Sequence, residues 1–234
     1  HNLTDLCELV RQKKADVGFA VDPDGDRLAV VDETGQPLGE EYTLVFTADG
    51  FLKNTKSRKP LVTNLSTTMA LDVIAKKHGN EVQRASVGEI NVVELMKEIG
   101  SEFGGEGNGG IILPESHYGR DALVGAALFL SRMSQSLTTV SKIFSTMPQY
   151  YMVKDKIRAN GISLEKILDN LLDSMPKAEV DQRDGLKIIF QDAWLHCRKS
   201  NTEPIIRIYS EAITLQQARM LVDKVKNIAP PSNI

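Results

Sequence analysis

The sequence predicts a layered α/β domain with a mixed sheet, followed by an α+β module built on an antiparallel sheet. Three observations point there. Between residues 61 and 133, short apolar runs alternate with segments of helical period, the pattern of strands and helices stacked in layers. After Met147-Pro148 several strands follow one another, two of them joined by the tight turn Gln191-Asp192, and such links make antiparallel pairs. A chain of 234 residues has enough apolar surface for one large or two small cores.

Asn2 can cap a helix reaching about residue 14, with Leu3, Leu6, Leu9 and Val10 on one face. Val17-Gly18-Phe19-Ala20-Val21 and Leu28-Ala29-Val30-Val31 read as strands on either side of an acidic loop. Residues 33–36 form a turn and 40–53 a helix. A basic connector ends at Pro60, and then 61–65 is a strand, 67–78 a helix closed by Gly79, 81–85 a strand and 91–99 a helix. A glycine-rich stretch, 104–110, precedes the apolar run Ile111-Ile112-Leu113, and Asp121 caps a helix to about residue 133. A boundary falls near 145–148. Beyond it, 149–158, 186–190, 193–197 and 205–209 are strands, while 163–172 and 214–227 are helices. Phe190 and Trp194 are expected to pack the last sheet.

A net charge of −3 gives no reason to propose nucleic acid or an anionic membrane as partner. Cys7 and Cys197 lie far apart and resemble neither a disulfide framework nor a zinc site, which fits a reducing, cytoplasmic setting. No apolar run approaches the ~18 residues of a membrane span, and no signal peptide is visible. The chain opens at His1 directly into a helical pattern, so its N-terminus is expected to come from cleavage or design.

Three loops carry chemistry. The first is Asp22-Pro23-Asp24-Gly25-Asp26-Arg27, with carboxylates at alternate positions. Like charges this close repel, and the usual relief is a bound cation or a raised pKa. Pro23 and Gly25 suit a turn that aims the aspartates inward. Oxygen-only ligands point to a hard cation, Mg²⁺ first, and three carboxylates leave positions for phosphate oxygens. An EF-hand also opens with aspartates at its positions 1, 3 and 5, and Glu33 falls at position 12. That motif needs glycine where Arg27 stands, and helical flanks. A solvated acidic turn is the plainer alternative.

The second loop, Gly104-Gly105-Glu106-Gly107-Asn108-Gly109-Gly110, lets backbone approach a ligand closely, and Glu106 and Asn108 suit sugar hydroxyls. A simple linking turn has the same composition. The third, Arg198-Lys199-Ser200-Asn201-Thr202-Glu203-Pro204 with Arg207 beyond, combines guanidiniums, hydroxyls and an amide that can cradle phosphate. A solvated polar hairpin reads the same way. Glu115, His117, Arg120 and Asp121 follow the glycine loop as lesser candidates, Asp121 chiefly as a helix cap. Glu89-Ile90-Asn91 either faces a cleft or merely starts a helix.

In this order and spacing the three loops resemble those of the α-D-phosphohexomutase superfamily, which includes phosphoglucomutase/phosphomannomutase and phosphoglucosamine mutase. The resemblance covers essentially the whole chain. It implies the C-terminal part of domain 2 at 1–38, domain 3 at 39–146 and domain 4 at 147–234. The mixed-sheet domain is thus preceded by the tail of a similar domain. It implies Asp22, Asp24 and Asp26 as Mg²⁺ ligands and Arg27 beside the reacting phosphate. Glu106 and Asn108 would bind sugar hydroxyls. Arg198, Ser200, Asn201, Thr202 and Arg207 would anchor the non-reacting phosphate of a hexose phosphate. The family's phosphorylatable serine, in a Thr-x-Ser-His motif, has no counterpart among these residues, so the chain alone is expected to bind rather than turn over. Asn108 and Gly110 depart from the commonest bacterial sugar loop, Gly-Glu-x-Ser-Gly-His. A lysine near Leu65 and a histidine near Glu89, seen in some relatives, are absent. The 64–67 stretch and the sugar loop look closer to archaeal-type phosphomannomutases and some phosphoglucosamine mutases.

Overall fold

The computed structural model describes residues 3–158, 164–174, 178–200 and 203–228. The chain divides into two units, His1–Pro148 and Gln149–Ile234.

Unit 1 opens with helix α1 (Thr4–Lys13), which packs Cys7 and Val10 against Val31 of an antiparallel hairpin, β1 (Val17–Val21) and β2 (Leu28–Asp32). Leu3 stands at the cap position and offers no side-chain bond, while Asn2, read as the cap, lies outside the described residues. Helix α2 (Glu40–Asn54) is buried on nearly every side, including Glu41, Thr43, Thr47 and Asp49. A mixed five-stranded sheet follows. It is formed by β3 (Leu61–Asn64), β4 (Val82–Ala85), β5 (Gly104–Glu106), β6 (Gly110–Leu113) and β7 (His117–Arg120), in the order β4-β3-β5-β6-β7. The β3 pairings to β4 and β5 are parallel, and β5-β6 and β6-β7 are antiparallel. Helices α3 (Ala70–Lys77), α4 (Glu89–Ile99), α5 (Ala122–Ser134) and α6 (Val140–Ser145) complete the layers. Phe46 of α2 stacks on Phe129 of α5 with ring centroids 3.9 Å apart.

Unit 2 is an antiparallel sheet of β8 (Tyr151–Arg158), β9 (Glu179–Asp181), β10 (Leu186–Ile189), β11 (Ala193–Lys199) and β12 (Ile205–Ala212), in the order β8-β12-β11-β10-β9. Helices α7 (Leu164–Ser174) and α8 (Leu215–Ile228) cover one face, where Leu171, Val222 and Val225 meet Leu186, Leu195, Cys197, Ile206 and Ile208. The turn at Gln191-Asp192 closes with the Phe190 N–H donating to the Ala193 carbonyl. Trp194 is buried in the sheet as expected.

Several boundaries differ from the sequence reading for local reasons. The helix expected from residue 67 begins at Ala70, because Ser66 N–H and the Thr67 hydroxyl both donate to Asn64 Oδ1 and hold a turn there. The glycine stretch is not a loop throughout: 104–106 is a strand and only 107–109 turn. The strand β7, the short helix α6 and the strand β9 were not anticipated, since each is short and mostly polar or weakly periodic. No helix among the described residues is long and apolar enough to cross a membrane.

Candidate active site

The aspartate loop is a hairpin turn between β1 and β2, with Gly25 at φ +78° where a side chain would be strained. The Gly25 N–H donates to the Asp22 carbonyl, and the Ala122 N–H donates to the Gly25 carbonyl, fixing the loop against the start of α5. Strand flanks rule out the EF-hand, and Glu33, its would-be twelfth residue, accepts bonds from Ser141 instead. Asp22, Asp24 and Asp26 bring one carboxylate oxygen each within 4.8 Å of one another.

The three aspartates are not equivalent. Asp22 Oδ1 accepts the backbone N–H groups of Asp26 and Arg27, both at 3.2 Å, and Oδ2 accepts Arg27 Nε at 2.6 Å. Burial works against its charge, but these bonds and the Arg27 guanidinium outweigh it and hold the Asp22 pKa at about 2. Asp26 is pushed the other way, by burial first and by Asp22 beside it, against the pull of Arg120. A raised pKa, one relief expected for crowded carboxylates, therefore holds for Asp26 and not for Asp22: hydrogen bonds decide Asp22, desolvation decides Asp26. Asp24 is solvent-exposed rather than aimed inward. Asp26 Oδ1 is buried and has no hydrogen-bond partner. A buried carboxylate oxygen with no hydrogen bond, only the Arg27 Nε at 3.8 Å, and two further carboxylates beside it fit a hard divalent cation held by Asp22, Asp24 and Asp26.

The glycine turn lies against this loop within unit 1. The Leu28 N–H, just past Arg27, donates to the Gly109 carbonyl at 3.0 Å. Glu106 is only 4% exposed. Its Oε1 accepts Asn64 Nδ2 at 2.7 Å and its Oε2 accepts Arg120 Nη1 at 2.6 Å. Asn108 Nδ2 reaches Glu106 Oε2 at 3.4 Å, while Asn108 Oδ1 accepts the Gly110 N–H at 3.1 Å. A side chain at Gly107 would collide with the Glu41 carboxylate, which accepts the Thr68 N–H, so glycine is required for the approach. Arg120 Nη2 also pairs with Asp26. One guanidinium thereby joins the aspartate loop to the glycine-rich segment that carries Glu106. Sequence reasoning weighed Arg120 only as a lesser candidate and missed Asn64 as a partner of Glu106. The one signal for Asn64 was a polar residue ending an apolar strand.

Asp121 caps α5 as expected, with Oδ1 accepting Leu123 and Val124 N–H at 2.7 and 2.9 Å. His117 Nε2 sits 3.0 Å from Asp121 Oδ2 at the surface. Glu89 Oε1 accepts the Arg120 N–H at 2.8 Å. Glu115 is exposed.

In unit 2, Arg198 and Arg207 stand opposite one another on β11 and β12. Arg198 is buried, its Nε without a hydrogen-bond partner. Arg207 Nη2 donates to Glu203 Oε2 at 2.8 Å and its Nε to Ser200 Oγ at 3.3 Å. Asn201 and Thr202 lie outside the described residues.

Three domain descriptions of phosphoglucomutase/phosphomannomutase match in chain order: alpha/beta/alpha domain II at 1–35, alpha/beta/alpha domain III at 39–151, and the C-terminal domain at 154–228. The chain belongs to the phosphoglucomutase/phosphomannomutase family. Members of this family are phosphohexomutases, which are isomerases. A Thermococcus kodakarensis phosphoglucomutase/phosphomannomutase is 36% identical over 93% of this chain and 48% of its own length. A Sulfurisphaera tokodaii phosphoglucosamine/phosphogalactosamine mutase is 32% identical over 97% of this chain and 51% of its own. The chain thus spans about half the length of the curated relatives it matches. Among solved structures, a family protein from Burkholderia thailandensis superposes with a TM-score of 0.81 at 24% identity, covering 97% of this chain and 49% of that one. An Aspergillus fumigatus N-acetylphosphoglucosamine mutase, solved in complex with GlcNAc-6P and magnesium, gives 0.62 at 16% identity, covering 95% and 56%. These likenesses establish the phosphohexomutase fold.

Proposed function

We propose that this chain supplies the metal, sugar and phosphate recognition of a phosphohexomutase that interconverts hexose 1-phosphate and hexose 6-phosphate, of phosphoglucomutase/phosphomannomutase type. A phosphoglucosamine mutase is the alternative, favoured by relatives such as the Sulfurisphaera protein. In this reading residues 1–38 are the end of domain 2, 39–146 domain 3 and 147–234 domain 4. The observation that carries it is the Asp26–Arg120–Glu106 chain of contacts, which joins the aspartate loop to the Glu106 carboxylate.

Asp22, Asp24 and Asp26 would hold Mg²⁺, which when bound stabilises negative charge at a transferring phosphoryl group. Arg27 orders the loop through Asp22 and would place its guanidinium beside that phosphoryl group. Glu106, clamped on both oxygens, retains lone pairs to accept sugar hydroxyls, and Asn108 lies beside it. Arg198, Ser200, Asn201, Thr202 and Arg207 would grip the phosphate that does not react. Turnover would run through a phosphoserine and a bisphosphate that turns over between two half-reactions. That serine is not among these 234 residues, so the chain alone would bind substrate without isomerising it. Two buried, free cysteines, Cys7 and Cys197, support a reducing cytoplasmic setting.

Calorimetry with glucose, mannose and glucosamine 6-phosphates, with Mg²⁺ present, tests the reading. Binding tighter than that of inorganic phosphate, lost in Glu106→Gln, supports it; equal binding of all anions defeats it. Mutase turnover by the isolated chain would defeat the binding-only part.

A further inference from the structure

Arg120 occupies the junction of two loops that sequence keeps far apart. Its side chain is 19% exposed and faces three carboxylates from three segments. Nη1 donates to Glu106 Oε2 at 2.6 Å, Nη2 pairs with Asp26 Oδ2, and Nε lies 3.4 Å from Glu89 Oε2. The Arg120 N–H also donates to Glu89 Oε1 at 2.8 Å, which fixes the backbone from which the guanidinium projects. Arg120 alone cannot neutralise three negative charges, and Asp26 Oδ1 is buried without a hydrogen-bond partner, with Arg27 Nε no nearer than 3.8 Å.

We propose that Arg120 is a positioning residue that makes cation binding at the aspartate loop and sugar recognition at Glu106 depend on each other. The sugar half of this statement rests on the mutase reading; the cation half does not. Toward Glu106, Arg120 aligns. With Asn64 on Oε1 and Arg120 on Oε2, the carboxylate has one orientation. Toward Asp26, Arg120 competes. Its guanidinium already sits on Oδ2, so a divalent cation arriving at Asp26 meets a nearby positive charge. A bound cation weakens the hold of Asp26 on Arg120 and leaves the guanidinium to Glu106 and Glu89. Cation binding therefore firms the sugar-binding carboxylate, and by reciprocity sugar binding favours the cation by the same factor.

The test uses Mn²⁺ titration of the chain followed by electron paramagnetic resonance, alongside calorimetry with glucose 6-phosphate. In Arg120→Gln the Mn²⁺ affinity is expected to rise about tenfold, because a like charge is removed from the neighbourhood of the cation at an effective dielectric near that of a protein surface. Its sugar-phosphate affinity falls, and Mn²⁺ no longer changes it. Arg120→Lys keeps the charge but loses the planar fork, so Mn²⁺ affinity stays near the wild-type value while sugar binding weakens. A merely structural arginine would lower both affinities together in Arg120→Gln. A ligand-free control is a thermal double-mutant cycle of Asp26→Asn and Glu106→Gln, non-additive with Arg120 present and additive with Gln there. An Mn²⁺ affinity that is unchanged or lower in Arg120→Gln overturns the proposal, as does an additive cycle in the wild-type background. Absence of sugar-phosphate binding, with the Mn²⁺ shift and cycle intact, overturns only the mutase reading. Absence of Mn²⁺ binding by the wild type overturns both.

Discussion

Arg132 Nε donates to Asp49 Oδ2 at 2.6 Å, and both side chains are almost wholly buried between α5 and α2. His78 Nε2 reaches the other oxygen at 2.8 Å, and the Arg132 guanidinium lies over the Phe46 ring at 5.8 Å. Breaking a buried pair leaves a bare charge, which costs more than the pair itself contributes. Asp49→Asn is expected to lower the unfolding free energy of unit 1 by ~3–5 kcal/mol in urea denaturation. Asp49→Leu with Arg132→Met should cost less than either single change. A loss below about 1 kcal/mol for Asp49→Asn would show that the pair is incidental.

Acid sensitivity should come from unit 2 first. His196 is buried, and burial pushes its pKa down to about 4 even though the Asp184 carbonyl beside it pulls the other way. A histidine neutral in the folded state and basic in the unfolded one favours unfolding once pH drops below its ordinary value of about 6.5. The stability it contributes is complete above that pH and is lost progressively down to about pH 4. Asp49 acts lower. Burial opposes its charge, but His78 and Arg132 outweigh that and depress its pKa, so its contribution disappears only below the normal carboxylate range. Urea melts of the wild type and His196→Gln between neutral pH and pH 4.5 should diverge in the wild type's disfavour. Parallel curves would exclude His196 as the source.

Gly109 has φ +88°, and a Cβ there would lie 2.4 Å from the Leu28 carbonyl oxygen. That obstacle is backbone, which cannot swing aside. Gly109→Ala should therefore cost ~1–3 kcal/mol and spoil the Leu28–Gly109 bond that seats the glycine turn beside the aspartate loop. The check is a lower Tm together with weaker sugar-phosphate binding. An unchanged Tm would mean that the turn relaxes freely.

These predictions also show what the sequence exposed and what it hid. Continuous apolar runs made β1, β2 and the core strands of unit 2 legible, and Asp121 announced α5, because those signals are local. The strand β7 was hidden, since His117-Tyr118-Gly119-Arg120 carries no apolar alternation and is held by tertiary bonds, pairing with β6 and the Arg120 N–H donating to Glu89. The role of Arg120 was hidden for the same reason: its partners Asp26 and Glu106 sit on other elements, and spacing cannot show a contact made by packing. Asp49 illustrates a third limit. A buried acid in a helix breaks the amphipathic pattern, and only its tertiary partners explain it.

Asp22 and Asp24 should separate loop order from cation binding. Asp22 accepts three hydrogen bonds within the loop, whereas Asp24 is exposed. Asp22→Asn is expected to lower Tm and Mg²⁺ affinity together. Asp24→Asn should leave Tm without Mg²⁺ unchanged and remove most of the Mg²⁺-induced rise. Even in the wild type that rise should be modest, because three protein carboxylates are fewer ligands than Mg²⁺ prefers. A Tm response to Mg²⁺ that persists in both variants would place the cation elsewhere.

Arg198 and Arg207 face each other across β11 and β12, and Lys156 stands opposite Arg207 on its other side. Like charges directly opposite destabilise a sheet, and Glu203 offsets only Arg207. The buried Arg198 Nε, without a hydrogen-bond partner, leaves a donor for an anion. Inorganic phosphate should therefore stabilise unit 2, by ~2.7 kcal/mol once its concentration is about 100 times the dissociation constant. Chloride at equal ionic strength should do less, since screening alone does not satisfy a buried guanidinium donor. Arg198→Gln removes one of the opposed charges as well as the donor. Its phosphate response should vanish while its melting point in phosphate-free buffer falls less than a buried arginine's packing alone would predict. A phosphate response in Arg198→Gln equal to the wild type's would mean that the paired arginines are a surface feature of the sheet and not an anion clamp.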